Sequence, residues 1–205
     1  MTLCLVTDGR RRSVVEQCRD AVLAGVTLIQ VRERDLEAAA LSALVADLLR
    51  LTRGTATRVV VNERLDVALA CGADGVHLRG DSIAPSRARS MAPPGFLIGR
   101  SVHRAAEAAR AALGADYLIA GTVFPTSSKP GPNELLGLEG LAAIVRGVSV
   151  PVLAIGGVSI SNMASIAEAG AAGVAAIGLF VAQGARLGEV VEEARRRFDS
   201  VRSAS

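Results

Sequence analysis

Short apolar runs of strand length recur along the chain and alternate with longer stretches in which apolar residues return every three or four positions. The runs lie at Leu3 to Asp8, Leu28 to Glu33, Arg58 to Glu63, Gly75 to Arg79, Leu97 to Val102, Tyr117 to Thr122, Val152 to Gly157 and Val174 to Leu179. The stretches of helical period are Ser13 to Ala24, Leu36 to Leu51, Leu65 to Cys71, Pro85 to Ala92, Ala105 to Leu113, Leu138 to Arg146, Ile160 to Ala169 and Leu187 to Val201. A strand and a helix repeating together every ~25 residues predict an α/β fold, a single (β/α)8 TIM barrel. The turns entering strands share a small-residue theme, as in Cys71-Gly72-Ala73-Asp74-Gly75 and Ala169-Gly170-Ala171-Ala172-Gly173, which is expected where helices end at a glycine cap. A doubly wound sheet is the other arrangement of such elements. Its nucleotide-binding form would carry G-x-G-x-x-G after the first strand, and Asp8-Gly9-Arg10-Arg11-Arg12 does not supply it.

Composition narrows the picture. At 205 residues, with the repeat running throughout, the chain is expected to form one domain over residues 1–205. It is 50% hydrophobic yet 2% aromatic, which suits buried parallel strands under Ala-rich helices better than an aromatic-cored sandwich. No apolar run reaches the ~18 residues of a membrane span, and the N-terminus lacks a basic leader, so no membrane partner and a cytoplasmic location are expected. Cys4, Cys18 and Cys71 are odd in number and widely spaced, so neither a disulfide framework nor a zinc site is indicated. A net charge of +3 without aromatics interleaved among the basic residues argues against nucleic acid. The run Arg195-Arg196-Arg197 shares its helix with Glu189, Glu192 and Glu193 and reads as a solvated face. A small anionic ligand is the better use of the arginines.

In a barrel of this kind the chemistry lies at the carboxyl ends of the strands. The seventh and eighth runs stop at Gly156-Gly157 and at Gly178, and helical segments follow each. Backbone N–H groups exposed there predict a phosphate site. The second run ends Gln30-Val31-Arg32-Glu33-Arg34, placing Gln30, Arg32 and Arg34 on one face and Ile29 and Val31 toward the helices. Those arginines read either as an ion-paired plug or as a clamp for phosphate or carboxylate. The third run ends at Asn62-Glu63, and the fifth at Ser101-Val102-His103, where a histidine near neutral pKa is a natural proton carrier. His77, followed by more strand, reads as structural. After the sixth strand comes the long loop from Val123 to Asn133, with Thr126, Ser127, Ser128 and Lys129 as an anion cradle.

These segments, with Leu5-Val6-Thr7-Asp8, Asn62-Glu63-Arg64-Leu65-Asp66, Gly75-Val76-His77-Leu78, Gly99-Arg100-Ser101-Val102-His103 and Ala154-Ile155-Gly156-Gly157, resemble the thiamin phosphate synthase and thiazole tautomerase (TenI-type) superfamily over nearly the whole chain. The resemblance implies the barrel and a site for a phosphorylated thiazole; a homo-oligomer is a separate expectation about partners. In the synthase branch, hydroxymethylpyrimidine diphosphate is joined to thiazole phosphate with Mg²⁺. In the tautomerase branch, a proton is moved to aromatise the thiazole and no metal is used. The synthase pattern has Asn-Asp at the third strand end and a second Asp after the fourth. Here the first reads Asn62-Glu63, and Ser82 stands at the second place with Asp81 one position early. The synthase also favours lysine where Arg34 stands, whereas the Thr126 to Lys129 loop is close to its form. On these departures the chain is expected to be nearer the tautomerase. His103 and Ser101 would then be catalytic, Gln30, Arg32, Arg34, Asn62, Thr126, Ser128 and Lys129 would bind substrate, and Gly156, Gly157 and Gly178 would bind phosphate. No cofactor is expected in that branch. The alternatives are the synthase, with Mg²⁺ held by Glu63 and Asp81, and a barrel that binds thiazole phosphate without turning it over.

Overall fold

A computed structural model describes residues 1–126 and 135–202. Eight parallel strands close on themselves in chain order: β1 (Thr2–Val6), β2 (Leu28–Val31), β3 (Arg58–Asn62), β4 (Gly75–Leu78), β5 (Leu97–Val102), β6 (Tyr117–Ala120), β7 (Val152–Ile155) and β8 (Gly173–Ala176). Helices α1 (Val14–Leu23), α2 (Ala38–Thr52), α3 (Leu65–Cys71), α4 (Pro85–Arg89), α5 (Ala105–Ala112), α6 (Gly137–Arg146) and α7 (Met163–Glu168) fall between successive strands. After β8 come α8 (Gly178–Val181) and α9 (Leu187–Arg202), and α9 packs on α7 and α1. This is the (β/α)8 barrel that the repeat predicts. Among the described residues no helix is long and apolar enough to cross a membrane.

The strands read as continuous apolar runs because both of their faces are buried. In β1, Cys4 and Val6 point into the barrel while Leu3 and Leu5 pack under the helices, and in β3, Val60 points in while Val59 and Val61 point out. Cys4, Leu28, Val60, Tyr117, Leu153 and Ala175 fill the interior, so the barrel is packed below its mouth. Helix ends follow the expected glycine theme, with Gly25, Gly72, Gly114 and Gly170 all at positive φ.

Several strands stop one to three residues before the apolar pattern does, and side chains explain the stop. Beyond β1 the N–H of Asp8 donates to Gln17 Oε1 at 3.2 Å, and that of Gly9 donates to the Glu33 carboxylate at 3.1 Å. Side-chain acceptors thus take over where a ladder partner would continue. Arg32 and Arg34 consequently sit on the rim beyond β2, not in a polar ladder within it.

The eighth run also ends early. Leu179, Phe180 and Val181, predicted partly as strand, form the one-turn α8, in which Phe180 and Val181 are buried. Burial is equally satisfied by either conformation, so a short apolar run cannot distinguish them. The seventh helical stretch likewise begins as a 3-10 turn, Ile160–Asn162, in which Asn162 Oδ1 accepts from the Ser159 N–H at 2.9 Å and Asn162 Nδ2 donates to the Gly157 carbonyl at 3.0 Å.

Candidate active site

A cavity of about 690 Å³ opens at the carboxyl ends of the strands. Seven strands contribute one side chain each to its floor, Val6, Gln30, Asn62, His77, Ser101, Ile119 and Ile155 for β1 to β7 in turn, and Ile177 follows just beyond β8. That floor is divided. The four consecutive strands β2 to β5 supply polar groups, and β6, β7, the residue just beyond β8, and β1 supply apolar ones.

The polar half is wired by its own hydrogen bonds. Gln30 Nε2 donates to Asn62 Oδ1 at 2.9 Å, which leaves Gln30 Oε1 as an acceptor and Asn62 Nδ2 as a donor. Ser101 Oγ lies 2.8 Å from His77 Nε2, and His77 Nδ1 lies 3.3 Å from the Tyr117 hydroxyl. Burial, with the Arg100 charge adding to it, pushes the His77 pKa down to about 3, so this imidazole is neutral. The Ser101 hydroxyl thus bonds His77 and makes no hydrogen bond with His103. His77, expected to be structural, forms part of the cavity wall.

Above the polar half the rim is cationic. Arg32 is half-buried, and its guanidinium makes no hydrogen bond or ion pair with any described residue. Burial first, then the neighbouring charge of Arg34, holds its pKa below the ordinary value, with Arg79 adding in the same direction. Arg32 and Arg34 therefore form no ion-paired plug among the described residues. The Arg32 backbone is fixed from below, since its N–H donates to Thr7 Oγ1 at 2.9 Å and the Thr7 hydroxyl donates to Glu33 Oε1 at 2.5 Å. Arg11, paired with Asp8 at 3.0 Å, lines the same rim from the loop after β1.

Two carboxylates bond Arg79, of which Asp81 lines the cavity and Glu63 does not. Glu63, held at φ 65° in a region that non-glycine residues enter at a cost, accepts a hydrogen bond from the Arg79 backbone N–H. Asp81 pairs with the Arg79 guanidinium at 2.5 Å. The second oxygen of each makes no hydrogen bond with any described residue. Among the described residues there is no group of three or more potential ligands from His, Cys, Asp and Glu. Two hard oxygen donors fit a Mg²⁺ that takes its remaining ligands from phosphate and water. The loop bearing Asp81 is held by Arg100, whose guanidinium donates to the carbonyls of Gly80, Ser82 and Ile83 at 2.7, 3.2 and 2.6 Å.

Over the apolar half the rim is backbone. Gly156 and Gly157 have φ of 98° and 62°, and Gly178 opens α8. The sequence leads one to expect exposed backbone N–H groups at all three, and their surroundings differ. A Cβ on Gly156 would strike Thr122 Cγ2 at 2.4 Å, and one on Gly157 would strike the Pro125 carbonyl at 2.5 Å, whereas one on Gly178 would meet nothing within 4 Å. The first two are glycine to admit the loop after β6; Gly178 alone faces open space. Thr126 also lines the cavity. Ser128 and Lys129 lie outside the described residues.

His103 is exposed, one residue beyond β5 and at the cavity edge. Its Nδ1–H donates to the Gly121 carbonyl, and its backbone N–H donates to Glu107, leaving Nε2 as the acceptor near Gly80. The cavity thus gathers Gln30, Arg32, Arg34, Asn62, Asp81, Ser101, His103, Thr126, Gly156, Gly157 and Gly178. Glu63 is not part of that lining. Sequence reasoning missed Arg11 and Arg79. Arg79 ends the fourth apolar run and could have been found from that place, whereas Arg11 sits in an arginine run with no signal favouring one member.

Comparison with known proteins gives the following. Residues 3–180 match the family described as thiamine monophosphate synthase. A thiamine-phosphate synthase of Methanoculleus marisnigri is 40% identical over 98% of this chain and 96% of its own length. One of Methanoregula boonei is 42% identical over 89% and 87%. Among solved structures, a thiamine phosphate pyrophosphorylase from Pyrococcus furiosus superposes with a TM-score of 0.86 at 37% identity, covering 98% of this chain and 96% of that one. A 3-hexulose-6-phosphate synthase, 21% identical with a TM-score of 0.69, shares the fold alone. The named relatives are synthases, so they favour what the sequence reading held as its alternative over the tautomerase branch.

Proposed function

The chain belongs to the thiamine monophosphate synthase family, and from that membership together with the divided cavity we propose that it joins a pyrimidine methyl diphosphate to a thiazole phosphate. The observation that carries the reading is the division itself. A polar floor under a cationic rim adjoins an apolar floor under a backbone rim, giving two anion-attracting places in one cavity of about 690 Å³. A single thiazole bearing carboxylate and phosphate would also present two anions. It would have no use for Glu63 and Asp81 beside Arg79, whereas a diphosphate with its metal uses both signs of charge.

On the polar side, Gln30 Oε1 and Asn62 Nδ2 offer an acceptor and a donor in the plane of an aminopyrimidine edge, and Arg32, Arg34 and Arg79 receive the diphosphate above it. On the apolar side, Ile119, Ile155 and Ile177 carry the thiazole, with its phosphate against the N–H groups near Gly156, Gly157 and Gly178. The reaction breaks the bond from the pyrimidine methylene carbon to the diphosphate oxygen, whose electron pair leaves with that oxygen, and forms a bond from the thiazole nitrogen to the same carbon. The arginines stabilise the charge that collects on the leaving group, and they do so without reorganising. Mg²⁺, which the family resemblance implies, would be held by Glu63 and Asp81 and supplies further neutralisation of that charge when bound. The half-buried, unpaired Arg32 is the group best placed for the task. No proton changes hands, so His103 has no proton to move in this reaction; its imidazole forms part of the rim.

The test is to supply the purified protein with both substrates and Mg²⁺ and follow the products by mass spectrometry. Thiamin phosphate and diphosphate are expected in equal amounts and are lost on chelation, while His103→Ala keeps turnover within about tenfold. Isomerisation of a carboxythiazole phosphate without pyrimidine and in the presence of chelator, with His103→Ala losing ~10² to 10⁴-fold, would establish the tautomerase instead.

A further inference from the structure

Beneath the polar half of the floor lies the chain's single tyrosine. Tyr117 is in register with Gly99 on β5, and Gly99 is in register with His77 on β4. The three make one layer of the barrel interior. A Cβ on Gly99 would stand 2.4 Å from the Tyr117 hydroxyl oxygen and 2.5 Å from His77 Nδ1, so the missing side chain at position 99 is the space in which the tyrosine and the histidine meet. Their ring centroids are 5.6 Å apart, and the hydroxyl lies 3.3 Å from Nδ1. From His77 the chain continues through Nε2 to Ser101 Oγ at 2.8 Å and ends at the cavity surface.

The direction of these bonds follows from satisfaction. The Tyr117 hydroxyl is buried, and among the described residues His77 is its one partner. Were Nδ1–H the donor, the phenolic hydrogen would be buried without an acceptor, which native interiors avoid. The tyrosine therefore donates. His77, neutral because of its burial, then carries its proton on Nε2 and donates it to Ser101. With its lone pair so engaged, and with no other partner among the described residues, the Ser101 hydroxyl has its own hydrogen to give to whatever occupies the cavity.

We propose that Tyr117 is a positioning residue that fixes the His77 tautomer and thereby presents Ser101 as a hydrogen-bond donor to the pyrimidine diphosphate. The role rests on the synthase reading, but the tautomer does not, and the two are measured separately. Nitrogen-15 NMR of histidine-labelled protein is expected to show His77 protonated on Nε2 from about pH 5 to 9, and Tyr117→Phe to move the proton toward Nδ1. In turnover, Tyr117→Phe should lower kcat about five- to tenfold, the worth of one neutral hydrogen bond, with KM within about twofold. In a Ser101→Ala background the same change should cost nothing further, because its effect passes through that hydroxyl. An Nδ1–H tautomer in the unaltered protein overturns the proposal, and needs no variant to fold. So does an equal loss of kcat with and without Ser101. If the unaltered protein forms no thiamin phosphate, the functional reading fails and takes the role of Ser101 with it, while the NMR result still decides the tautomer.

Discussion

Arg32 concentrates the conflict between folding and function at a single residue. A half-buried guanidinium next to Arg34 and Arg79, with no carboxylate of its own among the described residues, is an arrangement the folded chain tolerates and an anion would relieve. Arg32→Met keeps the apolar stem and removes the charge. We expect it to weaken binding of Mg²⁺-diphosphate by about ten- to a hundredfold, in line with a hydrogen bond to a charged group, while the unfolding midpoint stays the same or rises. A fall in both would mean that the arginine stabilises the barrel. His77 makes a second residue-scale prediction. Its pKa is about 3 when folded, against an ordinary value of 6.5, so between these pH values the unfolded chain binds more protons. Its contribution to stability is therefore full above pH 6.5 and is lost as pH falls toward 3, at about 1.4 kcal/mol per pH unit. Urea unfolding across that window should show the slope, and His77→Asn should remove most of it. Neither property was legible in the letters. Arg32 could be placed on the correct face from period 2 alone, but that it lacks a partner depends on where Asp8 and Glu33 turn, and Glu33 turns to Thr7 and Gly9.

Elements were legible where a period ran long enough to exclude the other conformation. The eight strands and the order of helices followed from alternation, and the outward placement of Ile29 and Val31 from strand period. Strand ends were not, because they are set by acceptors such as Gln17 Oε1 that arrive from distant positions. Gly178 and Leu179, the first two residues of α8, were read as strand because the apolar run is too short to exclude either conformation. The loop after β4 shows what such an end can do. Arg100, on the neighbouring strand, gathers three carbonyls of residues 80 to 83 and so fixes Asp81 beside Arg79. Arg100→Met should release that loop. The expected result is a several-fold rise in the Mg²⁺ concentration needed for half-maximal turnover, with the thiazole phosphate KM unchanged; equal losses in both would show a general loosening of the barrel mouth.

For the whole molecule, the barrel brings residues from seven strands, and one from just beyond the eighth, to one floor, and closure in chain order makes neighbours in sequence neighbours in the cavity. Polar floor residues come from β2 to β5 and apolar ones from β6, β7, the residue just beyond β8, and β1, so the two halves face each other across the mouth. The sequence supplied every one of those letters, but the division emerges only when strand phase is known to a single residue, since a slip by one exchanges floor and outer face. The measurement that tests this account most directly is a crystal structure with thiamin phosphate and diphosphate bound together. The account predicts diphosphate oxygens against Arg32 and Arg79, the pyrimidine edge on Gln30 and Asn62, and the phosphoryl group at the backbone of Gly156, Gly157 and Gly178. Finding the phosphoryl group on Arg32, or the pyrimidine over Ile119 and Ile155, would contradict it.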